Sequence, residues 1–146
     1  KQVGQMQTLL ENLYKQETTF GETDFSALCG HLGKHVNKRS FLVLYTNFSN
    51  MTSLNRQLVY LQQLARQHRV LVVFFEDADL KEYIAGKSVT TEEYYRHVIA
   101  EKFAFEKRLI VSTLKQHGIY SLLTTPDKLS IDVINKYLEM KSRQLL

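Results

Sequence analysis

Polar side chains that could bind a ligand follow two apolar stretches of the chain, 41–45 and 70–75, which have the composition of buried strands. They are Thr46 and Asn47 after the first stretch and Glu76, Asp77 and Asp79 after the second. A hard divalent cation needs several oxygen ligands that converge from neighbouring strands, so one interpretation is a divalent-metal or phosphate site made from Thr46, Asn47, Asp77 and Asp79. The sequence favours a second interpretation, in which these short polar residues form turns and cap helices.

A transition-metal site on a predicted helix is another candidate. His31 and His35 stand four residues apart and can share one helix face, and Cys29 precedes His31 by two residues. No carboxylate completes the motif, so we interpret both histidines as surface residues. The serines lie in no motif that would supply a general base, and we predict no catalytic residue.

Composition and glycine spacing argue against several further classes of function. The 146 residues are 44% hydrophobic and 23% charged, which is typical of one soluble globular domain. No glycine falls in a GxxxxGK or GxGxxG pattern, and the net charge of +4 comes from scattered cations without the interleaved aromatic residues of a nucleic-acid surface. The longest apolar run is far shorter than the ~20 residues of a membrane span. The single cysteine favours a reducing compartment.

Helix and strand patterns alternate along the chain. Helical periodicity covers about 5–16, 25–36, 54–65, 90–117 and the residues after Pro126, and apolar strand patterns cover 41–46, 70–75 and 119–125. Asp24 is positioned to cap the second helix and Gly118 to end the fourth. This order predicts an α/β fold with a mostly parallel sheet and right-handed crossovers. Because the strands are apolar throughout, we expect three layers with helices on both faces.

The apolar helix faces predict which side chains form the core. The first helix carries Met6, Leu9, Leu10 and Leu13 at helical spacing, and the third presents Leu54, Leu58, Leu61, Leu64 and Ala65. The fourth is expected to bury Tyr95, Ile99, Phe103, Ile110 and Leu114. The last is expected to bury Leu129, Val133, Ile134, Tyr137 and Leu138.

Three segments of the chain resemble a known family. They read RSFLVLYTNF, LNRQLVYLQQLARQHRVLVVFFED and INKYLEMKSRQLL. In order and spacing they resemble the carboxyl-terminal half of the bacterial von Willebrand factor A-like proteins called domain of unknown function fifty-eight. The resemblance covers most of the chain and implies that residues 1–146 are the later half of a single Rossmann-like domain. Genes of this family commonly accompany those of MoxR-type AAA+ ATPases, and its members are usually anchored by upstream membrane segments with the A domain in the cytoplasm.

The resemblance also implies a metal site that has lost ligands. A von Willebrand A domain holds a divalent cation through a DxSxS motif, a threonine in a later loop and an aspartate at the end of the fourth strand. This sequence has no DxSxS, Thr23 in GETDFSAL matches the threonine, and Asn47 stands beside Thr46 where the aspartate would be. A neutral amide in place of a carboxylate weakens such a site. We therefore expect no metal and no cofactor at these three positions, and weak Mg²⁺ binding at most in a full-length parent.

These observations predict a non-enzymatic protein-interaction domain that acts in complex assembly with a MoxR-type AAA+ ATPase in the cytoplasm. No nucleic-acid binding and no membrane insertion are expected. The alternative is a metal-dependent phosphoesterase or a nucleotide-binding domain that uses the acidic turn of Glu76, Asp77 and Asp79. An enzyme of that kind needs at least two carboxylates that face a common cleft, whereas an interaction domain can keep only hydroxyl and amide groups there.

Self-association is a further expectation. The chain begins with Lys1 rather than Met, so we expect it to be a piece of a longer protein. The resemblance implies that strand 41–46 has another neighbour in that protein, the first strand of the A domain. Without that neighbour, an apolar edge that lacks proline and inward charge is a template for pairing with another chain. We expect a homodimer that either joins the first strands of two copies or covers each strand with the amino-terminal helix of the other copy.

Overall fold

The computed structural model describes residues 2–17, 23–76, 80, 83–84 and 90–146. The elements in chain order are α1 (Gln2–Tyr14), α2 (Phe25–His35), β1 (Phe41–Tyr45), α3 (Met51–Gln67), β2 (Arg69–Phe75), α4 (Thr91–Gln116), β3 (Tyr120–Thr124), a 3-10 turn (Pro126–Lys128) and α5 (Leu129–Ser142). Within these ranges, none of the helices combines the length and the apolarity that a membrane crossing requires.

The three strands form one parallel sheet in the order β1-β2-β3. Phe41 lies opposite Arg69 at the start of the first ladder, and Leu71 lies opposite Tyr120 at the start of the second. The carboxyl ends of all three strands therefore meet at one edge of the sheet. The predicted α/β class with a parallel sheet is confirmed.

Each face of the sheet packs against helices. On one face the side chains of Val70, Val72 and Phe74 are buried in a core cluster with residues of α2, α3 and α4. Alternate residues of β2 point to the opposite face, where Leu71 and Val73 are also buried. The helix α5 lies on that second face, because the ring of Tyr137 is 5.8 Å from the ring of Phe41 and because α5 contacts β3. The result is helix, sheet and helix in three layers.

Local sequence signals set the helix ends. The side chain of Asp24 accepts a hydrogen bond from the Ala27 backbone N–H at 2.9 Å and so caps α2 as predicted. Capping boxes begin α3 and α4, with Asn50 paired to Ser53 in the first. Gly118 ends α4 with φ at +71°, in the left-handed region where glycine is the least strained residue.

Part of the predicted core is wrong for α4. Ile110 and Leu114 are fully buried as predicted, but Tyr95, Ile99 and Phe103 are 66%, 54% and 50% exposed. The cause is length, since a helix of 26 residues is about 39 Å long whereas strands of five to seven residues span about 16 to 23 Å. The first half of α4 therefore extends past the carboxyl ends of the strands.

The predicted faces of α5 and α1 also differ from the structure. On α5, Ile134 and Leu138 are more than half exposed, and Met140, which was not predicted, is the buried contact. On α1, the apolar stripe is more than half exposed at every one of Met6, Leu9, Leu10 and Leu13. By contrast, the predicted face of α3 is confirmed, because Leu54, Leu61 and Leu64 are buried. Helical periodicity marks an apolar face in each of these three helices and in α4, but of the four only α3 has every predicted residue buried or half-buried.

Candidate functional site

A cleft of about 1220 Å³ opens at the carboxyl ends of the strands. The projecting half of α4 forms one wall with Phe103, Ala104 and Phe105, and the strand ends supply Asn47 and Phe75 on the other side. Ligands of parallel α/β sheets bind at the carboxyl ends of the strands, so this cleft is the candidate ligand site.

Lys107 of α4 lies in the cleft and bonds to the residues that follow β1. Its Nζ donates one hydrogen bond to Asn47 Oδ1 at 2.5 Å and another to the backbone carbonyl of Phe48 at 2.9 Å. The same ammonium lies 5.6 Å from the centre of the Phe74 ring, within reach of a cation–π contact. Burial lowers the pKa of Lys107 below its ordinary value. These contacts join α4 to the end of β1.

The packing of Phe48 explains why this carbonyl is fixed. Phe48 is 3% exposed, and its ring stacks on Phe25 with the ring centres 6.2 Å apart. Because Phe25 opens α2, the start of that helix lies beside the end of β1. Thr23, which is exposed and two residues before Phe25, is thereby placed at the same end of the sheet as Asn47. No contact joins Thr23 to Asn47 among the described residues, so a shared site at these positions stays a prediction.

Thr46 and Asn47 each form a hydrogen bond to another element of the fold. The backbone N–H of Thr46 donates to the Val73 carbonyl at 3.0 Å and extends the β1–β2 ladder. Asn47 keeps its side-chain oxygen 2.5 Å from the Lys107 ammonium. A divalent cation bound to the same Asn47 oxygen would lie within a few ångströms of the Lys107 ammonium. Two positive charges that close repel strongly, so the cation would have to displace the lysine. At Asn47, where the resemblance places a metal site that has lost ligands, the side-chain oxygen accepts a hydrogen bond from Lys107 of the same chain.

The acidic turn after β2 is described only at its first residue. Asp77 and Asp79, the two aspartates of the predicted alternative site, lie outside the described residues. The backbone N–H of Glu76 donates to the Thr124 carbonyl at 3.0 Å, and its side chain lines the cleft. The acidic cluster of the three residues therefore stays a prediction.

The last residue of β3, Thr124, forms a hydrogen bond with α5. Thr124 is 2% exposed, and its Oγ1 donates to Asp132 Oδ2 at 2.5 Å. This bond ties the first turn of α5 to the sheet, so the Thr124 hydroxyl does not face the cleft as a free ligand.

The histidine pair on α2 lies on the surface. His31 and His35 are both exposed, and their rings stack with centres 4.2 Å apart. Cys29 points into the core instead, where its thiol donates to the Tyr60 carbonyl at 3.5 Å and where burial raises its pKa. In the described part of the chain, no three His, Cys, Asp or Glu residues are grouped so that they could hold a metal ion.

Comparison with protein-family models, with curated proteins and with solved structures gave no match. The family assignment therefore remains a proposal. Three features of the described residues bear on function: the cleft, the exposed apolar side chains and the edge of β1 that faces away from β2.

Isothermal titration of the chain with Mg²⁺ or Mn²⁺ is expected to show no micromolar binding at Thr46 and Asn47. The reason is that Asn47 offers a neutral oxygen that already accepts from the Lys107 ammonium. Micromolar binding that Asn47→Ala removes would contradict this prediction, whereas binding that survives Asn47→Ala would arise elsewhere in the chain.

Proposed function

We propose that this chain is a non-enzymatic protein-interaction domain, the later half of a von Willebrand A-like fold, which assembles with a MoxR-type AAA+ ATPase. The observation that carries the interaction role is the α4 apolar surface, which we define as Tyr95, Ile99 and Phe103. These side chains recur every four residues and are each at least half exposed. A contiguous apolar stripe of this kind on a soluble protein is typical of a binding surface.

The position of this surface also supports the proposal. Lys107 contacts the end of β1, so the α4 apolar surface, which precedes Lys107 on the same helix, projects beyond the sheet. A projecting helix can enter a groove of a partner through residues at spacings of three and four. Aromatic anchors such as Tyr95 and Phe103 contribute more to such contacts than most residues do.

The internal cation at Asn47 supports a role without catalysis. An enzyme that activates water or phosphate at a strand end needs a metal or a charged group that is available to the substrate. Lys107 is instead engaged by Asn47 and the Phe48 carbonyl within the protein. Its contacts hold two elements together, which is a structural task.

The choice of partner and compartment follows from the resemblance of the three segments given above. Proteins of that family commonly accompany MoxR-type ATPases, and their A domains face the cytoplasm. A cytoplasmic domain whose parent is anchored by upstream segments is the corresponding proposal for this chain.

Binding to a MoxR-type ATPase encoded in the same genome tests the proposal. The wild-type chain should bind, and Ile99→Glu should weaken binding at least roughly tenfold because it places a charge in an apolar contact. Val59→Glu is the matched control, since Val59 is an apolar residue of similar exposure, 60%, that lies on α3 outside the α4 apolar surface. Absence of binding by the wild type, or equal weakening by both variants, would refute the proposed role.

A further inference from the structure

The backbone groups of alternate β1 residues point to the edge of the sheet that faces away from β2. The Thr46 N–H donates to the Val73 carbonyl at 3.0 Å, and the Arg69 N–H donates to the Ser40 carbonyl at 2.8 Å. In a parallel ladder, alternate residues of a strand bond to one neighbour. The even-numbered residues of β1 therefore face β2, and Phe41, Val43 and Tyr45 direct their N–H and C=O groups away from it.

Among the described residues, β2 is the strand that pairs with β1. The outward groups of Phe41, Val43 and Tyr45 thus form a row of three donors and three acceptors, with Val43 at its centre. Such a row is a template for another strand. Because the row has an odd number of residues, it can pair with an identical row about an axis through its central residue.

We infer that two copies of this chain pair through β1 in antiparallel fashion, about a two-fold axis at Val43, so that one continuous sheet crosses both copies. In this register Val43 pairs with Val43 of the second copy, and Phe41 pairs with Tyr45 of the second copy. Each outward N–H then meets an outward carbonyl, because residues that exchange both hydrogen bonds lie directly opposite each other in an antiparallel ladder. No other register pairs every outward group of the three residues.

The side chains fit this register as well. Directly opposed residues point to the same face, so Phe41 and Tyr45 of the other copy become cross-strand neighbours on the face that carries α5. Tyr45 is 60% exposed in the single chain, and Phe41 already contacts Tyr137 with the ring centres 5.8 Å apart. The pairing covers an exposed aromatic ring with an aromatic cluster from the second copy.

The charges flanking β1 favour two antiparallel copies over parallel ones. Lys38 and Arg39 precede the strand, and the neutral Asn47 follows it. Antiparallel pairing about Val43 places Arg39 opposite Asn47 of the second copy and keeps the two cationic ends apart, whereas parallel pairing would set like charges side by side.

The opposite edge of the sheet is a poorer template. The Glu76 N–H donates to the Thr124 carbonyl, so Tyr120, Leu122 and Thr124 face β2. Only Ser121 and Leu123 of β3 direct backbone groups outward. A second copy at this edge would make fewer hydrogen bonds, so β1 is the edge at which self-pairing is expected. The inference does not depend on the proposed ATPase partner.

Sedimentation equilibrium of the full chain tests the pairing. The wild type should reach twice the monomer mass of 17.1 kDa with increasing protein concentration. Val43→Pro removes an outward N–H at the axis and leaves the β1–β2 ladder its own bonds, since proline is tolerated where the N–H of an edge strand faces away from the sheet. We expect it to raise the dimer dissociation constant roughly tenfold or more. Ser121→Pro is the matched control at the outward edge of β3 and should leave the dimer unchanged.

Disulfide trapping tests the register independently. Opposed residues of a hydrogen-bonded antiparallel pair have Cα atoms about 5.5 Å apart, within the range that a disulfide spans. Val43→Cys should therefore cross-link two copies under oxidising conditions, and Ser121→Cys should not. The native Cys29 is buried, with a raised pKa, and supplies little reactive thiolate.

The outcomes separate the alternatives. A wild-type chain that stays at 17.1 kDa at high concentration overturns the inference. A dimer that persists in Val43→Pro, or equal cross-linking of both cysteine variants, also overturns it and points to coverage by α1 or another surface. If Val43→Pro fails to fold, as circular dichroism would show, the presence or absence of the Val43→Cys cross-link decides the question alone.

Discussion

Replacement of Phe48 by alanine is expected to lower the free energy of unfolding by about 3 to 4 kcal/mol. Phe48 is 3% exposed, belongs to the core cluster and stacks on Phe25, so its loss opens a cavity between α2 and the end of β1. The same cavity loosens the backbone carbonyl that accepts from Lys107. Urea denaturation of the variant and the wild type, at low protein concentration, measures the difference.

Phe105→Ala is the control for this prediction. Phe105 is a phenylalanine of α4 that lines the same cleft but is 59% exposed, so its loss should change the stability by less than about 0.5 kcal/mol. Equal effects of the two substitutions would show that Phe48 is not the packed anchor of this edge of the sheet.

Lys107→Met is expected to cost about 2 kcal/mol of stability. Methionine retains an apolar stem near the Phe74 ring but cannot donate to Asn47 or to the Phe48 carbonyl. Hydrogen bonds to charged groups contribute about 1.5 to 3 kcal/mol, and the lower half of that range applies because Lys107 is only half-buried. The desolvation that lowers the pKa of Lys107 offsets part of the gain.

Two measurements test whether the loss of stability in Lys107→Met comes from the hydrogen bonds of Lys107. Lys102→Met changes an exposed lysine of the same helix and should have an effect within about 0.5 kcal/mol of zero. A double-mutant cycle of Lys107→Met with Asn47→Ala should give a coupling energy of about 1 kcal/mol. A coupling energy of zero would mean that the short Nζ to Oδ1 contact contributes nothing to the fold.

Local signals in the sequence were sufficient to predict the order of strands and helices. Each strand is a short apolar run, and the ends of the helices carry residues with known capping chemistry, such as Asp24 and Gly118. These signals depend only on residues that are close in the sequence, so they can be recognised without knowledge of the tertiary structure. The parallel sheet then follows from the helical crossovers between the strands.

The contacts at the candidate site could not be predicted in the same way. Asn47 and Lys107 are 60 residues apart in the chain, and neither belongs to a motif that would mark the pair. Periodicity also identifies the apolar face of a helix without saying whether another element covers it. For this reason the sequence placed Ile99 and Ile134 in the core, whereas both are more than half exposed.

The strand order has a consequence for how the chain folds during synthesis. Each strand pairs with the next one along the chain, so the β1–α3–β2 unit can close before α4 and β3 have left the ribosome. At that stage one edge of β2, the most buried strand of the sheet, has no neighbour until β3 arrives. A pause in translation after β2 has emerged would lengthen this interval and with it the exposure to aggregation, so we expect the yield of soluble protein to fall when synonymous codons slow the translation of the residues that follow β2.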